Sequence, residues 1–540
     1  MLFPIFATLA AVTIVSATTD AEYDYCIVGS GPGGGSLAAN LAAAGHYVFL
    51  LEAGGNASDN FLQRIPQCKF YVEHFQNETQ ARHDPKYTYR QTNGSYYVGL
   101  NPPAEAEPLG ILYPRGAILG GSSQINAMNF AWLLTTNESW GHTNMRRHLM
   151  NLENCTYVLR GTPGHGFDGY ITVESIAQMA ELLQRDINRI DLDRYGSPLS
   201  FLLPLAISPS TGSRSSIAHY INSIVDASNP LTISLHLLVT KILFEKHRHS
   251  RRPKAIRGEY MVGEGLYSVD ERYDTTQREV FISGGPFNTP QILKLSGIGP
   301  REELQKLGIP VAANLPAVGN FVQDNYETPV HVEASNGKTT EQASTPFQLS
   351  GGTFFLSYRS SVSWDNDSDL FFLSAAGFGE FGFFPGYSRR VPMPRTETVT
   401  LRSRDPRQAP AINFNYFSNQ ADTDLQALSD GVDLLMRIYN ETGVPYRVLP
   451  PNAAVEMKQA LMYEAFSHHA TSTCRMGLAG DENYCVDSRF MVNGVDGLRV
   501  VDASVFPRVP GAMPNGPTFT ISRKAFETIL EDNHGCVEGN

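Results

Sequence analysis

Cysteine is scarce, with six in 540 residues. That is too few for disulfides to scaffold a chain this long. Cys26 falls inside a strand pattern and reads as a buried thiol, and among Cys68, Cys155, Cys474, Cys485 and Cys536 one or two bridges fit, with connectivity open. No Cys/His group has metal-site spacing, so no metal is expected. Positive charge is also short: 42 Lys and Arg against 54 Asp and Glu leave a net charge of −12. A nucleic-acid partner needs a basic face and is excluded as the main partner. The basic run KHRHSRRPK at 246–254 reads as a solvated loop between strands. Past the first residues no apolar run of about 18 appears, so no stable membrane insertion is expected. Ser123 and Ser472 lack the G-x-S-x-G elbow of a hydrolase nucleophile, and no internal repeat stands out.

What is present is an ordinary globular composition, 42% hydrophobic and 18% charged, in a chain long enough for two domains. Residues 2–15, LFPIFATLAAVTIV, are uncharged and too short to span a bilayer, and Ser16-Ala17 follows. They predict a signal peptide over 1–17 and a secreted or secretory-lumen protein. Seven N-x-S/T sequons, at Asn56, Asn77, Asn93, Asn137, Asn154, Asn366 and Asn440, agree with that route.

Residues 24–34 read DYCIVGSGPGG, and 18 positions after Gly34 comes Glu52. Tyr25–Val28 is a short apolar run that stops at Gly29, SLAANLAAA at 36–44 suits a helix that stops at Gly45, and 46–51 reads as a second strand. The order is strand, glycine turn, helix, strand. Gly29, Gly31 and Gly34 form G-x-G-x-x-G, the turn that admits a pyrophosphate to the helix N-terminus. Glu52 lies 21 residues past Gly31, where an acid accepts hydrogen bonds from ribose hydroxyls. The motif by itself does not separate FAD from NAD. Gly120-Gly121-Ser122-Ser123, before a helix-compatible run, is a second place where backbone N–H groups can meet phosphate.

Further along, LTISLHLLVTKILFE at 231–245 predicts one or two strands, REVFIS at 278–283 another, and Thr289–Leu295 a helix capped by Gly297. From about 320 to 470 the segments GGTFFLSYRSS, DLFFLSAAG, TVTLRSRDP and AINFNYF predict an antiparallel sheet, followed by a helix over 422–439. GLRVVDASVFP then reads as a buried strand, and 518–530 as a closing helix.

Four stretches together resemble the glucose-methanol-choline (GMC) oxidoreductases: VGSGPGG with Glu52, RGAILGGSSQIN, GPFNTPQILKLSGIG, and HATSTCRMG leading into LRVVDASVFPRVPGAMPNGPT. LQKLGIPVAANLPAVGNFVQDN and TVTLRSRDPRQAPAINFNYFSNQADTDLQAL also look like family segments, in consistent order from about 22 to 530. The resemblance implies an α/β fold, a Rossmann-like FAD-binding domain with an inserted substrate domain built on an antiparallel sheet. It assigns 22–155, 226–319 and 479–540 to the first domain and 156–225 and 320–478 to the second. FAD is the implied cofactor, with Gly29, Gly31 and Gly34 at the pyrophosphate and Glu52 at the adenosine ribose. Arg115, Gly120, Gly121, Ser122, Asn126 and Ala127 are implied along the phosphates and flavin ring, Val239 at adenine, and Asp502 and Ala503 beside the ribityl chain. Some members tether flavin through a histidine two places before the residue matching Arg115. Tyr113 stands there, which implies noncovalent FAD.

The implied catalytic pair is His469, five places before Cys474, with Asn515 of MPNGPT. His468, one residue off, is expected to point elsewhere. Alcohol oxidation removes a hydroxyl proton and a hydride from one C–OH unit; histidine suits the proton, and an amide donor suits the developing alkoxide. The implied partners are a small-molecule alcohol and an electron acceptor, O2 or a quinone-like molecule. The chain looks most like secreted filamentous-fungal members, where secondary metabolism is a usual role. It departs from the pattern at Ala117, at Trp132-Leu133, at Ala470-Thr471-Ser472 in place of Pro-x-Gly, and in a short polar stretch between Val332 and Leu349. These departures keep a second class open, a non-redox FAD-containing lyase or cyclase of the same fold. Phe354, Phe355, Phe371, Phe372, Phe381, Phe383 and Phe384 fit either an apolar substrate wall or sheet core.

Overall fold

The computed structural model describes residues 23–56, 113–126, 140–174, 213–227, 229–246, 252–262, 276–325, 330–334, 352–363, 368–377, 380–387, 397–415, 421–442, 446–449, 468–478, 481–510 and 513–537, with shorter pieces between them. The apolar N-terminal run expected to be a signal peptide lies outside the described residues.

The opening unit forms as its pattern predicts. Tyr23–Val28 is a strand, Gly34–Ala43 a helix and Val48–Leu51 a fully buried strand. Nine of the ten helix residues are buried, which a helix made of Gly, Ser, Ala, Asn and Leu achieves by lying between sheet and neighbouring helices. One neighbour is Ile217–Asp226, whose Ile221 side chain reaches the Gly35 backbone. The other is the closing helix Asn515–Val537, where Ser522 Oγ donates to the Gly33 carbonyl at 2.6 Å.

Strands from far along the chain complete this sheet, in the order Leu231–Ser234, Val48–Leu51, Tyr23–Val28, Thr276–Ile282, Leu498–Val500. All four pairings are parallel, so five carboxyl ends emerge on one edge. The chain order reverses between Tyr23–Val28 and Thr276–Ile282, and the crevice outside such a reversal is where open α/β sheets hold ligands.

The stretch 231–245 is two strands in two sheets. Leu231–Ser234 edges the parallel sheet, while Leu238–Lys246 starts an antiparallel meander with Pro253–Val262 and Gly265–Ser268. The break falls at His236, in the left-handed region at φ 59° with its ring against Gly55. The second large sheet is antiparallel, in the order Ser200–Leu202, Gly352–Tyr358, Leu370–Gly377, Glu380–Tyr387, Val330–Ala334, Tyr446–Leu449. TVT and AIN do not join it: Thr398–Thr400 and Ala411–Asn413 form a separate two-stranded sheet, with Thr398 also bridged to Asn320. Alternation marks a strand without naming its neighbour, and here the connection over 401–410 returns one three-residue strand to the other. Phe371 and Phe372 are both buried, and the Phe372 ring packs on Gly431 of the helix Ala421–Thr442. That is core packing; the side chains of the other five phenylalanines lie outside the described residues.

Two helices start well before their predicted first residues, Gly285 against Thr289 and Asn515 against Thr518. Gly285–Leu295 contains Pro290, which reads in sequence as a boundary. Pro290 has no N–H for the carbonyl four residues back, and that carbonyl, on Pro286, instead accepts Thr473 Oγ1 at 2.6 Å. The closing helix begins at Asn515 because Pro517 falls in its first turn, where a missing N–H costs little.

His148, on the helix His142–Leu152, is 2% exposed, and burial pushes its pKa down to about 4 despite Glu527 3.5 Å away. A histidine kept neutral in the fold contributes stability that is present above its unfolded pKa near 6.5 and lost as pH falls through about 4. The wild-type melting temperature should therefore fall more steeply over that window than that of His148→Gln; parallel pH profiles would show that His148 carries none of the acid sensitivity.

Candidate active site

The carboxyl edge of the parallel sheet is built around glycines that do two different jobs. A Cβ on Gly29, Gly33 or Gly34 would meet the backbone oxygens of Ser283, Val501 and Gly29 at 2.4, 2.1 and 2.1 Å. These three allow strand, helix and turn to touch. A Cβ on Gly31 would meet nothing within 4 Å. Gly31 alone of the fingerprint faces open space, and the helix behind it starts without a side-chain cap. Backbone open to approach at an uncapped helix N-terminus fits a pyrophosphate. The resemblance places Gly29, Gly31 and Gly34 at the pyrophosphate; in the structure Gly29 and Gly34, with Gly33, also let strand, helix and turn approach one another.

Glu52 and Asp502, both buried, brace this edge. Glu52 Oε2 accepts the Ser30 amide at 3.0 Å and the Ser30 hydroxyl at 2.6 Å, and Oε1 accepts Gly54 N at 2.9 Å. Asp502 Oδ2 accepts Gly285 N at 2.9 Å and Thr289 Oγ1 at 2.5 Å, and Oδ1 accepts Ser504 N at 2.7 Å. Burial pushes both carboxyls above their ordinary range, and these donors pull them back. Each acid ties the ends of two strands together.

The second glycine cluster lies on the first. Gly120 N donates to Ser30 Oγ at 3.0 Å, and a Cβ on Gly121 would stand 2.8 Å from Gly31 Cα. Ser122 is exposed, and its hydroxyl accepts Gly116 N at 3.1 Å. Arg115 donates to Asn288 Oδ1 at 2.6 Å and lies over the Phe287 ring. Asn126 is held by Arg214, whose Nη1 reaches the Asn126 carbonyl at 2.8 Å and Oδ1 at 2.7 Å. Arg214 is 2% exposed, and nothing in SRSS marks it as buried. Ala127 lies outside the described residues. Val239 is buried on Leu238–Lys246, just past the point where Leu237 N donates to the Glu52 carbonyl.

His469 is half-buried and His468 exposed, with their rings edge to face. The chain after His469 is zipped to the Asp502 turn: Ser472, Cys474 and Met476 donate their N–H groups to the carbonyls of Ala503, Ser504 and Val505 at 3.2, 2.9 and 2.8 Å. On its other side Thr471 pairs with Gln323, whose side chain accepts Val509 N at 3.0 Å. Ser472 sits at φ 72°, a conformation glycine adopts without cost and serine at roughly 1–2 kcal/mol. Arg475 stacks 3.5 Å over Phe321 and also faces Tyr484, so the arginine of TCRMG is structural. Cys474 is bonded to Cys485, which resolves one pairing. Asn515 is half-buried and opens the closing helix. Asn325 Nδ2 lies 3.5 Å from His469 Nδ1, and the amide orientation there decides which ring nitrogen keeps its lone pair.

Glu153, Cys155 and His165, distant in type from any metal motif in sequence, come within 4.8 Å of one another. His165 Nδ1 is 3.2 Å from Glu153 Oε1, whose partner oxygen accepts Gly166 N at 2.8 Å. Burial raises the Cys155 thiol, opposing the thiolate a metal needs. The trio reads as a hydrogen-bonded turn anchor. Of the sequons, Asn56 and Asn440 are exposed, and Asn154 lies in a strand with Nδ2 3.5 Å from Thr172 Oγ1. Asn77, Asn93, Asn137 and Asn366 lie outside the described residues.

An uncapped glycine turn at the reversal of a parallel sheet is the arrangement of a dinucleotide-binding α/β protein, here with a second, antiparallel sheet. Residues 206–326 and 394–522 match the GMC oxidoreductase family. An oxygen-dependent choline dehydrogenase of Pseudomonas putida (strain KT2440) is 30% identical over 94% of this chain and 94% of its own length. One of Photobacterium profundum is 28% identical over 94% and 93%. Formate oxidase of Aspergillus oryzae superposes with a TM-score of 0.76 at 20% identity, over 96% of this chain and all of that one. The chain belongs to the GMC oxidoreductase family, and it is an FAD-dependent oxidoreductase acting on CH–OH groups. Among the described residues no helix is long and apolar enough to cross a membrane.

Proposed function

We propose that His469 takes the hydroxyl proton of a small alcohol while Asn515 donates a hydrogen bond to the same oxygen, giving an aldehyde or ketone. FAD, when bound, supplies the two-electron acceptor for the hydride. The observation that carries this reading is the zipping of 472–476 onto 503–505, which ties the His469 segment to the Asp502 turn at the carboxyl edge. There the imidazole can work as base, and an amide preorganised at the N-terminus of the closing helix favours the alkoxide-like transition state. Gly31 and Gly121 would meet the pyrophosphate, Glu52 the ribose, Val239 the adenine, and Ala503 the ribityl chain. The Tyr113 hydroxyl is occupied by Asp324 and Ala470, which supports noncovalent FAD. The name of the choline dehydrogenase relatives favours O2 as acceptor over a quinone-like molecule.

Anaerobic titration of the purified protein with choline and with aliphatic, benzylic and polyol alcohols should bleach the visible flavin band with at least one of them. A bound flavin that no alcohol reduces would overturn the assignment. We read the protein as secreted, of the fungal type, on the buried Cys474–Cys485 disulfide, the exposed Asn56 and Asn440, and the apolar 2–15 run. The product recovered from a secreting host should then begin at Thr18 and carry glycan at Asn56 or Asn440; cytosolic retention with Cys474 reduced would sink that reading.

A further inference from the structure

Tyr113 and Asp324, 211 residues apart, close a ring of hydrogen bonds on the backbone of His469. The Tyr113 hydroxyl donates to Asp324 Oδ2 at 2.7 Å and accepts Ala470 N at 2.6 Å. Asp324 Oδ1 accepts His469 N at 3.0 Å and Asn325 N at 2.8 Å. Two successive amides, of His469 and Ala470, are thus captured by one carboxylate and the phenol it holds. The phenol cannot swing away. Its ring is 3% exposed, stacked on Phe414 at 5.3 Å and 15° and edge-on to Phe287 at 5.1 Å. Asp324 is fixed from the other side, because Gln323 pairs with Thr471 through both backbone bonds, 3.1 and 2.8 Å.

We infer that Tyr113 and Asp324 are positioning residues that set the place of the His469 imidazole, an inference that rests on His469 being the base. An imidazole whose backbone is held at two successive N–H groups keeps its distance to the substrate hydroxyl, and a displacement of about 1 Å in such a group costs up to roughly 100-fold in rate. Ala470 is integral to the device, since a proline at that place has no N–H to give the phenol.

The test is stopped-flow anaerobic flavin reduction in the holoenzyme, with Tyr113→Phe, Asp324→Asn and His469→Ala compared to wild type using an alcohol that bleaches it. Tyr113→Phe keeps both ring contacts and loses only the hydroxyl. The expected result is a limiting reduction rate about 10- to 100-fold lower, with substrate half-saturation, FAD content and melting temperature close to wild type. Asp324→Asn should lose rate with the same unchanged half-saturation, a split that mere loosening of the fold does not produce. Wild-type rates in both variants, with His469→Ala inactive, would overturn the clamp and leave the base intact. Wild-type bleaching by His469→Ala would remove the base and the clamp with it. Loss of FAD or of the folded state in both Tyr113→Phe and Asp324→Asn would make both residues structural and overturn the inference.

Discussion

His469→Ala should bind FAD and melt like the wild type, yet reduce its flavin with alcohol about 100- to 10,000-fold more slowly. The expected loss, roughly 3 to 5 kcal/mol of barrier, is what a positioned base contributes when no other group takes its proton. Fold and cofactor should be spared because the half-buried imidazole is not what holds its segment: the neighbouring backbone is held by Ala503, Ser504 and Val505 on one side and by Gln323 and Asp324 on the other. The substrate half-saturation should change little, since the lost interaction belongs to the transition state. His468→Ala, removing an exposed neighbour, should keep wild-type rates. Equal losses in the two variants would mean that the five-residue spacing to Cys474 misassigned the base.

Gly31→Ala should fold and lose FAD. The added methyl points into space where no protein atom lies within 4 Å, so the apoprotein should be at least as stable as wild type. The same methyl occupies the approach to the turn, and forcing a group of that size into a close contact costs about 1–3 kcal/mol, roughly a 5- to 150-fold weaker FAD affinity. Gly33→Ala and Gly34→Ala should fail differently. Their methyls would stand 2.1 Å from the Val501 and Gly29 carbonyl oxygens, and they should lower yield and melting temperature with or without FAD. Flavin titration of the deflavinated proteins, with melting curves at zero and saturating FAD, separates the two cases. Wild-type FAD affinity in Gly31→Ala would place the pyrophosphate elsewhere.

The opening strand, helix and strand were legible because a buried parallel unit needs continuous apolar runs, small helix residues and a glycine turn, and all are local. The family motifs point to the rest of the candidate site for the same reason: GGSS, TCRMG and VVDAS are short and contiguous. Element ends were less legible where proline was involved. The helix around Pro290 begins before Thr289, and only Thr473, 187 residues after Pro286 in the chain, shows how the Pro286 carbonyl is satisfied.

By itself the sequence determined the element types, the glycine turn, the acid after the second strand and the histidine five places before Cys474, because each depends on neighbours within a few bonds or one helical turn. The tertiary structure decided that TVT and AIN pair with each other, that 231–245 splits between two sheets at His236, and that Gly31 faces open space while Gly29, Gly33 and Gly34 face backbone. It also brought Tyr113, Asp324 and Arg214 to the site, two buried and one half-buried polar group with partners as far as 88 to 357 residues away. Such groups leave no periodic trace, because what makes them necessary is a carbonyl or amide that only the folded chain places beside them.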